Sequence, residues 1–332
     1  MRVLILPPRG IVFAEDSPWM ALATGLGRSG HEVQDLATSS RNAEAVISFN
    51  HQAQVKLIQA QSGISTGRTA LIVMEPEVTA PEMYARQALV LYGHRYAASP
   101  MWAKSIGGES FLWPQELRQS RVQQEWESFA ASLINGDKRS AVHGSRYGLR
   151  RSVIQAFDQS LTPLAVFGPG WGDPPIQRLR QAMKGVAKAM RGRVPPDLGE
   201  AFGDLRQRPS HWLGSVDKKT KAFASAPSSI VIENSSDYVS EKLVDAICAG
   251  VVPLYVGPPL DAFALPKEIA IRCPPDAQSI LRTTSHLNRH RRAEVVEAGR
   301  EWLNSSESLK HDIRTVLEDL GRRIGDRFNQ SN

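Results

Sequence analysis

One short stretch of the chain, residues 229–257, combines residue types that suit a phosphorylated ligand. Its apolar start predicts a buried strand that ends at Glu233 and Asn234, and open α/β sheets bind ligands at such strand ends. A helix follows, and Lys242 falls in its first turn. A cation there opposes the helix dipole, whereas a bound pyrophosphate would be shared by the ammonium and the backbone amides. The stretch therefore predicts a diphosphate site, with a surface Glu241–Lys242 pair as the alternative.

The elements around this stretch alternate between strand and helix. Short apolar runs separated by helical patterns recur in both halves of the chain, which predicts parallel sheets covered by helices. The predicted strands are residues 2–6, 43–49, 70–74, 140–143, 164–167, 229–233 and 251–256. Residues 115–136 are polar and predict helix without strand, and residues 308–327 predict one amphipathic C-terminal helix.

A basic stretch, residues 173–196, lies in the second half. It carries Arg178, Arg180, Lys184, Lys188, Arg191 and Arg193. The ordinary interpretation of such a run is a solvated face or loop. Nucleic-acid binding is the alternative, although no aromatic residues alternate with these charges.

Length and composition limit the class of protein. The 332 residues predict about two domains, and 42% hydrophobic with 22% charged residues exclude a disordered chain. The net charge of +6 favours an anionic ligand or surface. Two cysteines do not suffice for a disulfide scaffold or a four-ligand zinc site. The chain has no apolar run of about 18 residues, and its apolar start is too short for a signal peptide, so we expect a cytoplasmic protein.

The stretch that predicts the diphosphate site resembles a known family. It looks like the donor-binding signature of the α-1,3-fucosyltransferases, the family 10 glycosyltransferases. The matching residues are Glu233-Asn234-Ser235, Tyr238, Ser240-Glu241-Lys242, Asp245-Ala246, Gly250, Pro253, Tyr255 and Gly257.

Weaker resemblance extends to two other segments. Residues 145–157 are similar to a helix of the family that carries a phosphate-binding arginine, which implies Arg150, with Arg151 as the second choice. Met74-Glu75-Pro76 resembles the strand end that bears the family's proposed catalytic base. Proline follows Glu75 directly here, which departs from the family's Glu-x-Pro pattern, so Glu77 competes with Glu75 for that role.

The resemblance implies a fold and a domain organisation. The fold is α/β of the GT-B type: two Rossmann-like doubly wound domains that face each other across a cleft, with a C-terminal helix crossing the junction. The expected domains are residues 1–137 for the acceptor, residues 138–305 for the nucleotide-sugar donor, and residues 306–332 for the terminal helix.

The resemblance also implies an activity, inverting transfer of fucose from GDP-fucose to a hydroxyl of a glycan such as lipopolysaccharide. Lys242 and Arg150 would neutralise the departing diphosphate, and Glu241 would accept hydrogen bonds from the ribose. Asn234 and Tyr238 would shape the diphosphate and sugar site, with packing over the helix start as the alternative for Tyr238. Glu233 and Ser240 complete the expected donor site.

No cofactor beyond the donor is expected, and no acidic pair for a metal is evident. The partners expected are the nucleotide sugar, a glycan acceptor and, peripherally, an anionic membrane surface. Two alternatives stay open. The donor is another nucleotide sugar, or the chain is an inactive module that binds nucleotide sugars.

Overall fold

The computed structural model describes residues 1–8, 17–34, 42–118 and 128–331. The chain divides into two compact units. One comprises Met1–Gln115 together with Leu309–Asn332, and the other comprises Glu116–Ser308. Each unit is built on a parallel β-sheet, as the alternation of strand and helix predicts.

The described part of the first unit contains six parallel strands in the order β2-β1-β3-β4-β5-β6. The strands are β1 (Arg2–Leu6), β2 (Glu32–Gln34), β3 (Ala45–Phe49), β4 (Thr69–Val73), β5 (His94–Ala97) and β6 (Glu109–Ser110). The helices are α1 (Met20–Arg28), α2 (Gln54–Ser62), α3 (Arg86–Leu89) and α4 (Pro100–Ile106). Both β3 and β4 are buried along their whole length, in agreement with their mainly apolar sequences.

The C-terminal helix, α12 (Ile313–Gln330), packs against α1 within the first unit. Glycines bring the two helices close together. A Cβ on Gly25 would lie 2.1 Å from the carbonyl oxygen of Glu318, and one on Gly321 would lie 2.3 Å from that of Leu22. The last helix is therefore an integral layer of the first unit.

The second unit contains, in its described part, five parallel strands in the order β11-β10-β9-β7-β8. They are β7 (Ala131–Ile134), β8 (Leu164–Phe167), β9 (Ser228–Ile232), β10 (Val252–Val256) and β11 (Ile271–Arg272). Its helices are α5 (Tyr147–Asp158), α6 (Pro175–Gly192), α7 (Leu198–Phe202), α8 (Lys219–Phe223), α9 (Glu241–Cys248), α10 (Ala277–Ser285) and α11 (Arg289–Leu303). Because the chain runs from β7 to β8 on one side and then to β9 on the other, the strand order reverses between β7 and β9.

Two of the sequence predictions in this region are wrong. Residues 115–136 were expected to hold no strand, but β7 lies there and pairs with β8 and β9. The helix predicted there falls largely on residues 119–127, outside the described residues. Residues 140–143 form a loop, in which Ser140 Oγ accepts a hydrogen bond from the amide of Val142. Both segments are short and largely buried, and only pairing with neighbouring strands in the completed sheet distinguishes them.

The basic stretch forms the helix α6 with an exposed and a buried face. Arg180, Lys184 and Arg191 are exposed, in agreement with a solvated face. Arg178 is 1% exposed, so that interpretation is wrong for this residue. Its guanidinium donates hydrogen bonds to the carbonyl groups of Leu205 (3.3 Å) and Trp171 (2.5 Å). Its charge is balanced by Asp137, whose carboxylate lies 3.3 Å from Arg178 Nε.

Candidate functional site

The predicted donor residues gather at the carboxyl edge of the second sheet. Glu233 and Asn234 follow β9 directly, and the loop after them leads into α9. Ser240 is the N-cap of α9, and its hydroxyl accepts from the amide of Lys242 at 3.4 Å. The site therefore lies beside the point where the strand order reverses, where open α/β sheets bind ligands.

A buried carboxylate organises the start of α9. Glu233 has no exposed surface, and its two oxygens accept hydrogen bonds from the amide (2.9 Å) and the hydroxyl (2.7 Å) of Ser240. The Lys242 ammonium donates to the same hydroxyl at 2.8 Å and lies 3.6 Å from Glu233 Oε2. The side chain of Lys242 is 20% exposed, and these contacts hold its ammonium at the sheet edge.

Arg150 fixes the end of β9 from the opposite side. Its guanidinium donates to the carbonyl of Ile232 at 3.0 Å and to Asn234 Oδ1 at 2.5 Å. It also lies over the ring of Tyr147, 4.8 Å from its centre. Burial lowers the pKa of Arg150. The arginine that the resemblance selects is thus beside the site, with its side chain buried and holding Asn234 in place.

Glu241 belongs to a charged group on the outer side of α9. Lys219 lies 2.5 Å from Asp245 and 3.7 Å from Glu241. Burial raises the pKa of Glu241, but the charges of Lys242 and Lys219 outweigh it, and the pKa falls below its usual value. Glu241 is therefore an anionic acceptor at neutral pH, the state that accepts hydrogen bonds from sugar hydroxyls.

Tyr238 is 2% exposed and belongs to the interior of the loop. Burial, reinforced by the nearby charge of Glu233, raises its pKa well above the usual value. A neutral, buried phenol at this place agrees with packing over the helix start, the alternative that the sequence left open.

Arg151 points to a different cluster from Arg150. It lies 3.7 Å from the carboxylate of Asp137, which Arg139 (3.7 Å) and Arg178 (3.3 Å) also approach. All four side chains are at most 2% exposed. Arg151 also donates to the carbonyl groups of Lys138 (3.3 Å) and Glu200 (3.2 Å), so its donors are occupied within the fold. The structure thus separates Arg150, the first choice of the resemblance, from Arg151, the second choice.

Two residues of this edge were missed by the sequence analysis. Arg146, the N-cap of α5, donates to the carbonyl of Val256 at 3.3 Å, and its amide donates to that of Asn234 at 2.9 Å. It is half-buried, and so more accessible than Arg150. Lys219 was missed because it lies in a polar run with no motif around it. Arg146 could have been found from the sequence, because it lies in the same short run as Arg150 and Arg151.

The candidate bases lie in the first unit, after β4. Glu75 is half-buried, and its carbonyl accepts from the hydroxyl of Tyr84 at 2.9 Å, whereas Glu77 is exposed on the following turn. Asn50 directly follows the neighbouring strand β3, and its side-chain oxygen accepts a hydrogen bond from the amide of Met74 at 2.9 Å. His51 follows, and burial lowers its pKa, so its ring is neutral at pH 7.

Within residues 1–8, 17–34, 42–118 and 128–331, no three His, Cys, Asp or Glu side chains converge in a way that would hold a metal ion. Of the helices in those ranges, none has both the length and the apolar character needed to cross a bilayer.

No protein-family model matches the chain, and no curated protein matches its sequence. Solved structures match over nearly the whole length. Anabaena HepE in complex with UDP-glucose is similar with a TM-score of 0.60 at 11% identity, covering 99% of this chain and 100% of that one. Sucrose-phosphate synthase of Thermosynechococcus elongatus reaches 0.57 at 12%, covering 99% of each chain. An α-glucosyltransferase bound to UDP and DNA reaches 0.53 at 9%, covering 98% of this chain and 99% of that one. The chain therefore has the α/β fold of the GT-B type that the resemblance implies.

Proposed function

We propose that this protein is an inverting glycosyltransferase that transfers fucose from GDP-fucose to a hydroxyl of a glycan acceptor such as lipopolysaccharide. One observation carries the proposal. The Lys242 ammonium is fixed beside the N-terminus of α9, at the carboxyl edge of the sheet, by Ser240 and Glu233. An ammonium and helix amides at one place are a site for a diphosphate.

The donor would be held by groups that the fold already positions. Lys242 and the first amides of α9 take the diphosphate, and Arg150 acts by holding Asn234 against it. Arg146 supplies a second, more accessible cation at the same edge. Glu241 accepts from the ribose hydroxyls. Charge develops on the diphosphate as it leaves, so cations placed there in advance lower the barrier to transfer.

The transfer step requires a base and a leaving group. Glu75 takes the proton of the acceptor hydroxyl, whose oxygen forms a bond to the anomeric carbon. The bond from that carbon to the diphosphate oxygen breaks, and its electron pair leaves with the nucleoside diphosphate. Glu77 is the competing base, because it follows the same strand two residues later.

The identity of the donor rests on the resemblance over residues 233–257 to the fucosyltransferase signature. The fold is shared with HepE, whose structure contains UDP-glucose, so the fold by itself does not select the base or the sugar. A panel of GDP-fucose, GDP-mannose and UDP-glucose separates these donors.

The test is release of nucleoside diphosphate from each donor with a glycan acceptor present. We expect turnover with GDP-fucose, a loss of about 100-fold in Lys242→Ala, and no loss in the exposed control Lys267→Ala. Turnover with UDP-glucose and none with GDP-fucose would show that the donor is a UDP-sugar and not GDP-fucose. Nucleotide binding with no turnover of any donor would identify an inactive binding module instead.

A further inference from the structure

The helix α6 carries an exposed apolar stripe. Ile176, Met183 and Met190 are 55%, 59% and 65% exposed. They are seven residues apart, about two helical turns, so they lie on one face. The half-buried Leu179 and Val186 fall between them on the same side. The stripe is about 21 Å long at the rise of an α-helix.

A cationic flank runs along one side of this stripe. Arg180, Lys184 and Arg191 are exposed and lie roughly 40 to 120° around the helix from the three large apolar residues. None of the three forms an ion pair within the described parts of the chain. The helix contains no acidic residue. The remaining face, with Arg178, Ala182, Gly185 and Ala189, is buried against the unit.

We propose that this face of α6 docks on the surface of an anionic phospholipid bilayer. Aliphatic side chains beside Lys and Arg, with acids absent, are the pattern of a helix that lies in the membrane interface. The stripe enters the headgroup region, and the cations contact lipid phosphates. The inference is independent of the donor that the protein uses.

The charge pattern favours lipid over the other occupants. Two copies of α6 packed by their stripes would bring cationic flanks together with no acid on the helix to offset them. A single-stranded nucleic acid would use the cations, but the stripe offers no aromatic ring for base stacking.

The test is flotation of the full chain with vesicles of phosphatidylcholine alone or mixed with phosphatidylglycerol. We expect binding to the mixed vesicles only. Each cation near the surface contributes about fivefold to partitioning, so Arg180→Gln/Lys184→Gln/Arg191→Gln should lower it about 100-fold. Met183→Ser/Met190→Ser should lower it about tenfold or more.

Matched controls remove exposed residues from the first unit. Leu57→Ser/Leu309→Ser removes two leucines of 64% and 59% exposure, and Lys56→Gln/Arg86→Gln/Lys104→Gln removes three exposed cations. Both should bind vesicles as the wild type does. Equal binding of all variants, or no binding to anionic vesicles, would overturn the proposal. So would a Met-dependent self-association or an Arg-dependent binding of oligonucleotide in place of vesicle binding.

Discussion

The Lys242 ammonium lies 3.6 Å from the carboxylate of Glu233, and both groups are held by the hydroxyl of Ser240. The protein therefore supplies its own anion beside the cation in the first turn of α9, which explains how that lysine is tolerated without ligand. Lys242 forms its ion pair with the buried Glu233, and Glu241 forms its ion pair with Lys219.

Replacement of the buried carboxylate should destabilise the donor unit. In Glu233→Gln, one oxygen becomes an NH2 group facing donors of Ser240 and Lys242, so we expect a loss of about 2–3 kcal/mol in the free energy of unfolding. Urea unfolding measures it. Glu268→Gln, at an exposed position, is the control and should change stability by less than about 0.5 kcal/mol. Equal effects of the two substitutions would contradict the organising role of Glu233.

Packing explains why a glycine stands at position 257, the last residue that matches the fucosyltransferase signature. A Cβ on Gly257 would lie 2.0 Å from the hydroxyl oxygen of Tyr255, which is fully buried. Gly257→Ala should therefore destabilise by about 1–3 kcal/mol. Its effect should shrink in a Tyr255→Leu background, since the ring that clashes is gone.

Gly27→Ala is the control for this experiment. It lies in α1 with nothing within 4 Å of the added Cβ, so the change should be neutral or slightly stabilising. Thermal unfolding of the single and double variants measures the coupling. Additive effects of Gly257→Ala and Tyr255→Leu would show that the clash is not what excludes a side chain at Gly257.

The choice between the two candidate bases can be made by charge-neutral substitution. Glu75→Gln should abolish turnover while the affinity for GDP stays unchanged, because the donor residues belong to the other unit. Glu77→Gln, at the exposed neighbouring position, should retain activity. Initial rates and GDP calorimetry measure the two effects. The reverse pattern would assign the base to Glu77.

Stability should fall in mild acid because of two histidines in the first unit. Burial lowers the pKa of His51 and His94 below the ordinary value of 6.5. Below about pH 6.5 the unfolded chain therefore binds more protons than the folded one, and stability decreases as the pH falls. His51→Gln/His94→Gln should flatten the Tm profile between about pH 7.5 and 5.5.

His211→Gln is the matched control for the pH experiment, since that residue is exposed. It should leave the profile as steep as in the wild type. A double variant with an unchanged slope would place the acid sensitivity in other groups, such as the carboxylates.

The parts of the fold that could be predicted are those that short sequence patterns specify, such as apolar runs and helical patterns. The unit from β9 through α9 to β10 could be predicted from two apolar runs with a helical pattern between them. The structure adds the N-cap, Ser240, and a glycine, Gly250, whose φ of 72° ends the helix. β7 was missed because an apolar run of four residues becomes a strand only through its neighbours in the sheet.

The two consecutive arginines of α5 show a feature of the site that the sequence alone does not predict. Arg150 and Arg151 are consecutive, so on a helix they point about 100° apart. One reaches Asn234 and the other reaches Asp137. Which of them faces the site depends on the rotation of α5 against the sheet, and that rotation is set by long-range packing. The burial of Arg178 within a basic run escaped prediction for the same reason.

The most direct test of the account compares GDP with GMP by calorimetry on the wild type and on Lys242→Ala. The two ligands differ by the one phosphoryl group that the ammonium is proposed to hold. We expect GDP to bind the wild type at least about tenfold more tightly than GMP, a difference of about 1.4 kcal/mol, and we expect Lys242→Ala to remove that difference. Equal affinity of the wild type for both ligands, or a preference for GDP that survives in Lys242→Ala, would contradict the diphosphate site.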